Sequence, residues 1–499
     1  MDCYALRARN DGMHCHCERS EAIHILRETY MRKILFITLG LFLLSPFLFA
    51  DGVDFSGDIS TSWGVFAPWT NEDTALDFSL GNTNFAGKVD AWYGNSSALA
   101  EGSVSYDALT KNLDFSLGEL WLDYTDSFWG LRIGRQKAAW GKADGIDITN
   151  VLCPSDMSSF SAMTGDAGKL AVDAIRLSFS GNSFTADAWW IPFFTPTALP
   201  LDEGNSLRKF IVPSTVDYLI PAMNTTLHLP VIINQFKKTE LAIWNGEYGL
   251  KLSGYFSALD LSLYGFYGWD DIPLLDYGIT FGQPLDPSNP ATVLPNGITV
   301  GGEYKRMSMV GADAALPIGS TVLRLETAFF PQRYFQKSAE EIIKEALRQA
   351  QGPQETSQGP QETSQGPQKS SVIALQRNQL SALAGLDWMP SGWTFTAQYY
   401  CDYVFGDLDT LERTDAYQHG ATLSISKSLI NETLELSFAG VIGLNDYDSM
   451  LSPSIKYSLS DQISLGASAY IFLPGPDRDG KYGAYKDLST IAVNAKFSF

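Results

Sequence analysis

Hydrophobic and polar positions alternate with a period of two along most of the chain beyond residue 50. In the closing stretch "TIAVNAKFSF", Ile491, Val493, Ala495, Phe497 and Phe499 share one face, while Thr490, Ala492, Asn494, Lys496 and Ser498 share the other. Successive side chains of a strand point to opposite faces, so such a stretch reads as a strand with one greasy and one polar side. In the same way Leu259, Leu261 and Leu263 oppose Asp260, Ser262 and Tyr264, and Tyr248, Leu250, Leu252 and Phe256 oppose Glu247, Lys251 and Ser253. Leu434, Leu436 and Phe438 oppose Thr433, Glu435 and Ser437, and Ile455, Tyr457 and Leu459 oppose Ser454, Lys456 and Ser458.

Alternation fits a soluble β-sandwich as well as a barrel, and the connections separate the two. The pattern predicts about 18 strands (roughly 16–20) whose links alternate in length. One set is short: 94–97, 126–128, 181–183, 317–320, 390–393, 429–432 and 460–462. The other includes long links near 141–168, 195–239, 271–297 and 336–378. Short turns on one side and long loops on the other predict an all-β fold: a closed antiparallel transmembrane β-barrel with short periplasmic turns and long extracellular loops. An open sheet edge in hydrocarbon leaves unpaired backbone groups at several kcal/mol each, so the last strand is expected to pair with the first. The ending also resembles the terminal strand by which bacterial outer-membrane barrels are recognised for assembly. That resemblance marks Phe499, Phe497 and Val493 as an assembly signal and the barrel assembly machinery as a partner.

Met31 to Ala50 reads as a signal peptide: Arg32 and Lys33 start it, Ile34–Phe49 is apolar, and Ala50 is small enough for cleavage. Its apolar run is shorter than the roughly 20 residues that span a bilayer. Residues 1–30 then read as an N-terminal extension upstream of the true start, in which His14, Cys15, His16 and Cys17 are not a metal cluster. The barrel is expected over 51–499. Of five cysteines, only Cys153 and Cys401 lie beyond residue 50, which is no disulfide framework. No later stretch is long and apolar enough for a transmembrane helix.

Composition narrows the reading further. Charged residues are only 18% and aromatics 13%, with 43 glycines, and the net charge is −21. An acidic chain without a basic face excludes nucleic acid as a partner. Trp63, Phe66, Trp69, Trp92, Tyr93, Trp121, Tyr124, Trp129, Trp189, Trp190, Tyr267, Trp269, Trp388, Trp393, Tyr399 and Tyr403 are candidates for aromatic girdles where the apolar band meets water.

The most distinctive stretch is "LRIGRQKAAWGKADGIDITNVLCPSD", Leu131 to Asp156. Gly134-Arg135-Gln136, Trp140-Gly141 and Cys153-Pro154-Ser155-Asp156 resemble a "GRQ…WG…" strand and Asn-Pro-x-Asp-like turn of the alginate-export-porin-like group of large outer-membrane barrels and its neighbours of undefined function. Cys153 stands where that group tends to have Asn. The resemblance implies a channel-forming barrel of about 18 strands, and no substrate.

A long loop leaving this strand (141–168) is a candidate constriction, because it folds into a wide lumen and its charges then set selectivity. A charge on the lipid face costs roughly 2–4 kcal/mol at the midplane. Lys88, Asp90, Glu101, Glu119, Asp123, Asp313, Glu435 and Lys456 are therefore expected to face inward. As pore-lining or constriction residues we single out Arg132, Gln136, Asp144, Asp147, Arg176, Asp187, Glu247, Lys251, Arg324 and Glu326. Set against this is a purely structural role, in which lumen charges pair with one another to hold the wall.

Residues 195–239 are apolar for a surface loop and read as a plug, a cap or two extra strands. Residues 338–350 read as a helix with Ile342, Ile343 and Leu347 on one stripe, followed by the tandem "QGPQETS" at 351–357 and 358–364 and its variant at 365–371. Such a repeat builds no core, so 338–371 reads as a dispensable loop insertion. Beyond residue 50 the histidines are His228 and His419, neither in a recognisable catalytic motif. The chain is thus expected to be no enzyme and to need no cofactor or metal. It is expected to be a porin-like channel in the bacterial outer membrane, passing small polar solutes through the lipid bilayer, as monomer or homotrimer. The alternative is a surface adhesin or structural barrel without significant conductance.

Overall fold

The computed structural model describes residues 51–158, 168–202, 205, 207–212, 214–220, 225–286, 289–350, 373–477 and 479–499. The expected signal peptide at 31–50, the expected extension at 1–30 and the repeat at 351–371 lie outside them.

In chain order the strands are β1 (Gly52–Phe66), β2 (Phe78–Tyr93), β3 (Ser96–Asp107), β4 (Asn112–Thr125), β5 (Trp129–Gln136), β6 (Val172–Ser180), β7 (Phe184–Ile191), β8 (Thr215–Ile220) and β9 (Thr225–Ile233). They continue as β10 (Glu247–Tyr255), β11 (Asp260–Trp269), β12 (Leu274–Asp286), β13 (Asn289–Glu303), β14 (Arg306–Ile318), β15 (Thr321–Gln336), β16 (Ala374–Trp388) and β17 (Trp393–Val404). The last are β18 (Tyr417–Leu429), β19 (Leu434–Gly443), β20 (Asp448–Ser458), β21 (Ile463–Leu473) and β22 (Thr490–Ser498).

Eighteen of these form one sheet, each antiparallel to its neighbours, and β22 pairs with β1 to close it. At the seam Phe497 lies opposite Ile59, and the Gly57 and Phe499 backbones exchange hydrogen bonds of 2.9 and 3.0 Å. The closing strand therefore leaves no open edge, which is what hydrocarbon demands.

The alternation sorts as expected. Phe85, Phe115, Leu250, Leu252, Leu263, Val310, Leu386, Leu436, Ile455 and Val493 are exposed on the outer face, whereas Glu247, Ser253, Ser262, Tyr264 and Asp313 on the other phase are buried. A continuous apolar outer belt of this kind is covered by lipid. Tyr93, Tyr124, Tyr267, Trp388, Trp393, Tyr399 and Tyr403 are exposed at its borders. Trp121 and Trp189 depart from the expected girdle. They turn inward, with the Arg132 and Arg176 guanidinium groups over their rings at 3.8 and 5.5 Å.

The long links build a second layer above one rim. β12, β13, β9 and β8 form a separate four-stranded sheet around Val212, Leu229, Ile298 and Val300. Residues 195–239 thus contribute two strands, as one of the three expectations held, yet they add nothing to the wall, which stays at 18. The helix Ala339–Ala350 is present. Its Ile342 is 0% exposed and packs with Leu274, Ile373 and Ala374, so the 338–350 half of the presumed insertion is built into this layer.

Candidate functional site in the barrel lumen

β5 ends at Gln136, and the chain next turns into the lumen instead of rising above the rim. Trp140, Ile148, Leu152 and Cys153 pack on inward side chains of β6, β7, β11, β14, β15 and β16, among them Val172, Trp189, Tyr264, Met309, Phe330 and Leu383. Polar tethers fix the path. Glu326, 3% exposed on β15, accepts the backbone N–H groups of Lys142, Ala143 and Thr149 at 2.7, 2.9 and 2.8 Å, and the Thr149 hydroxyl at 2.7 Å. Arg324 donates to the Lys142 carbonyl at 2.9 Å, and Lys251 to that of Ala139 at 3.3 Å. On β17, Gln398 accepts the Asp144 N–H at 2.9 Å and donates to its carbonyl at 2.7 Å. Gly141 donates to the Tyr264 hydroxyl at 3.1 Å, and that hydroxyl donates to Asp313.

Close approach explains two glycines. Gly141 has φ +86°, and a Cβ there would lie 2.5 Å from the Glu326 carboxylate. On the wall, a Cβ at Gly311 would sit 2.7 Å from the Thr149 methyl. Small residues on both surfaces let loop and wall meet.

The anchoring revises several expected roles. Gln136, Glu247 and Glu326 are buried and so line no open passage. Gln136 donates to the Ala174 carbonyl at 3.0 Å, Glu247 accepts the Trp269 N–H at 3.0 Å, and Glu326 holds the loop. Arg132 and Arg176 sit opposite each other on β5 and β6 and are paired with Asp123 and Asp187 at 2.8 and 2.9 Å. Arg324 is paired with Asp387, and Lys169 with Asp147 at 2.5 Å. Asp144 is exposed at the loop surface. Together with Lys137, Asp147, Asn150 and Asp156 it lines a cleft of about 610 Å³. Cys153 accepts the Ala138 N–H at 3.1 Å, and burial pushes its thiol up.

With this geometry in place, a model of the family described as a protein of unknown function (DUF1302) matches residues 54–499. The chain belongs to that family. No curated protein sequence matches it. Solved structures to which this DUF1302 chain is similar include OccAB2 of Acinetobacter baumannii, at 10% identity, 90% of this chain, 98% of that one and TM-score 0.45. OpdK of Pseudomonas aeruginosa, solved with vanillate, gives 8%, 90%, 99% and 0.45. The outer-membrane channel DcaP of A. baumannii gives 9%, 90%, 97% and 0.39. The closed wall and its lipid-facing belt make this DUF1302 member an outer-membrane β-barrel.

The DUF1302 barrel carries a second inward loop that sequence reasoning missed. Between β21 and β22 the short helical turn Gly480–Gly483 packs on the lumen side, where the buried Asp448 carboxylate accepts the Tyr482 N–H. Residues 474–489 escaped notice because they are shorter than the other long links. Gln398 escaped because it carries no charge, although its period-two phase in "FTAQYY" points it inward. His228 does meet an acid, Asp217 at 2.5 Å, on the outer sheet, and His419 meets the Tyr399 hydroxyl at 3.0 Å.

Proposed function

We propose that the protein is a passive outer-membrane channel for small polar solutes, narrowed by the loop that follows β5. The observation that carries this reading is the loop's one-sided anchorage. Its tethers within the lumen run to β10, β11, β15 and β17, while the opposite wall keeps water-exposed charge pairs. Lys88 and Asp90 on β2 are 3.0 Å apart, and Lys456 and Glu435 on β20 and β19 are 4.0 Å apart, all well exposed. A lumen plugged throughout has no use for such wet charges, whereas an aqueous passage does. The Gly134-Arg135-Gln136 and Trp140-Gly141 likeness to the alginate-export-porin-like group supports the same reading. Assembly through Phe499, Phe497 and Val493, as a monomer or homotrimer, is part of the proposal.

Proteoliposome swelling tests it. Vesicles carrying the purified protein should swell in neutral polar solutes up to a size cut-off. No swelling, from protein shown by its heat-modifiable gel migration to be folded, favours the adhesin or structural-barrel alternative.

A further inference from the structure

On the outside of the barrel, one part of the rim leaves large apolar side chains uncovered. Where the chain runs from β9 into β10, Leu241, Ile243 and Trp244 are 71, 70 and 77% exposed. A loop surrounded by water has no reason to present three such neighbours. The segment is held firmly in place. Arg306, at the start of β14, donates to the Gly246 and Asn245 carbonyls at 2.9 and 2.8 Å and to the Asn245 side-chain oxygen at 2.6 Å. The Trp269 indole donates to the same Asn245 carbonyl at 3.1 Å, and the Tyr248 hydroxyl lies 3.5 Å from the Ile243 carbonyl.

The lipid-facing belt is notched at the same place. Tyr248, Leu250, Gly265, Tyr267, Val310 and Pro331, on β10, β11, β14 and β15, line a groove of about 340 Å³. Leu250, Gly265 and Val310 lie side by side in the outward register. A Cβ at Gly265 would meet nothing within 4 Å, so a missing side chain makes the hollow. Arg306 heads the groove, its guanidinium 5.2 Å from the centre of the Tyr267 ring and 4.1 Å from that of Trp269. Its hydrogen-bond partners among the described residues are carbonyl and amide oxygens, none a carboxylate. Its Nε–H and one further N–H are left for an incoming acceptor. The charges beside it do not cancel it: Lys237 and Lys305 share Glu303 at 3.6 and 2.6 Å, exposed Lys238 offsets exposed Glu240, and Glu247 is buried on the inner face.

We propose that this notch binds a phosphorylated lipid of the outer leaflet. An acyl chain lies in the groove, the phosphate meets Arg306, and Leu241, Ile243 and Trp244 dip among the neighbouring chains. The strand ends that carry the site belong to the rim with the long links, which faces away from the periplasm. The groove is continuous with the belt that lipid covers, and the cation at its head has no protein anion. An apolar slot beneath an unpaired guanidinium matches the two ends of one anionic lipid. The inference requires only the barrel in its membrane, and it stands whether or not the lumen conducts.

Native mass spectrometry of the folded protein in detergent tests it, with lipid A and its dephosphorylated form as probes. Wild type should hold lipid A, and hold the dephosphorylated form about fivefold more weakly, the worth of one basic residue at an anionic surface. R306Q should abolish that difference and R306K, which keeps the charge, should retain it. G265L fills the groove from the lipid side and should weaken both forms alike. Heat-modifiable migration shows that each variant is folded, and inorganic phosphate in excess should displace neither lipid. A wild type that holds no lipid A, a phosphate preference that survives R306Q, or unchanged retention in G265L overturns the site. Displacement by inorganic phosphate makes Arg306 a free-phosphate site and overturns the lipid assignment. So does a G265L variant that loses an oligomer yet keeps its lipid, which makes a second copy the occupant.

Discussion

Glu326 shows how one side chain decides the shape of the lumen. Its carboxylate gathers three backbone N–H groups and a hydroxyl from the inward loop, and each buried donor left unmade costs about 1–3 kcal/mol. The Glu326→Ala variant should detach the loop without opening the wall, because the β15 ladder pairs through its backbone. Limited proteolysis between 139 and 150 should then become faster, with heat-modifiable migration unchanged. Gly141→Ala pushes a methyl into the same carboxylate, so its effect and that of Glu326→Ala should fall short of additive. Full additivity in protease sensitivity contradicts a shared anchor. Arg132 and Asp123 make a different case. They pair at 2.8 Å over Trp121, so they hold the wall and are neutral as a unit. Replacing Arg132 alone should turn ion preference toward cations by exposing Asp123, whereas R132Q/D123N together should leave it near wild type in bilayer reversal potentials. The sequence gives these residues away as inward-facing through their phase. It does not tell Arg132 from Asp144, since pairing depends on which strands become neighbours.

At the scale of elements, period-two patterning made the wall strands readable, because a lipid-facing side and a wet side punish any slip of register. The long links carried no such constraint. The apolar residues 195–239 left plug, cap and two extra strands open; 215–220 and 225–233 among them are strands, but which sheet they join depends on the distant hairpin β12–β13: residues 298–300 pair with 231–233. The helix Ala339–Ala350 was equally legible, and its burial was not, because Ile342 is covered by Leu274 and Ile373 from other segments. Removing 351–371 alone should leave folding and conductance unchanged. Removing 338–371 also strips the fully buried Ile342, which costs about 2–5 kcal/mol in a packed layer. Its outer sheet should become protease-sensitive at 211–233 while the barrel stays heat-modifiable. Equal protease resistance of the two deletions contradicts the packing of that helix.

For the whole molecule, closure was foreseeable because sorted loops and an alternating final strand have one common solution in a bilayer, a sheet that pairs with its own beginning. What the lumen contains was less legible. The loop after β5 enters through a resemblance of a few residues, and the 474–489 loop through none. Both are fixed by neutral or buried partners, Gln398, Tyr264, Tyr400 and Asp448, whose roles exist only once the cylinder is closed. The central claim is a water-filled barrel whose passage is set by a loop held to one side. Planar-bilayer recording of wild type beside Glu326→Ala tests it most directly. Discrete, ohmic conductance steps in wild type, and larger steps once the loop is released, are the predicted result. A silent bilayer from heat-modifiable protein, or steps of identical size in both, contradicts it.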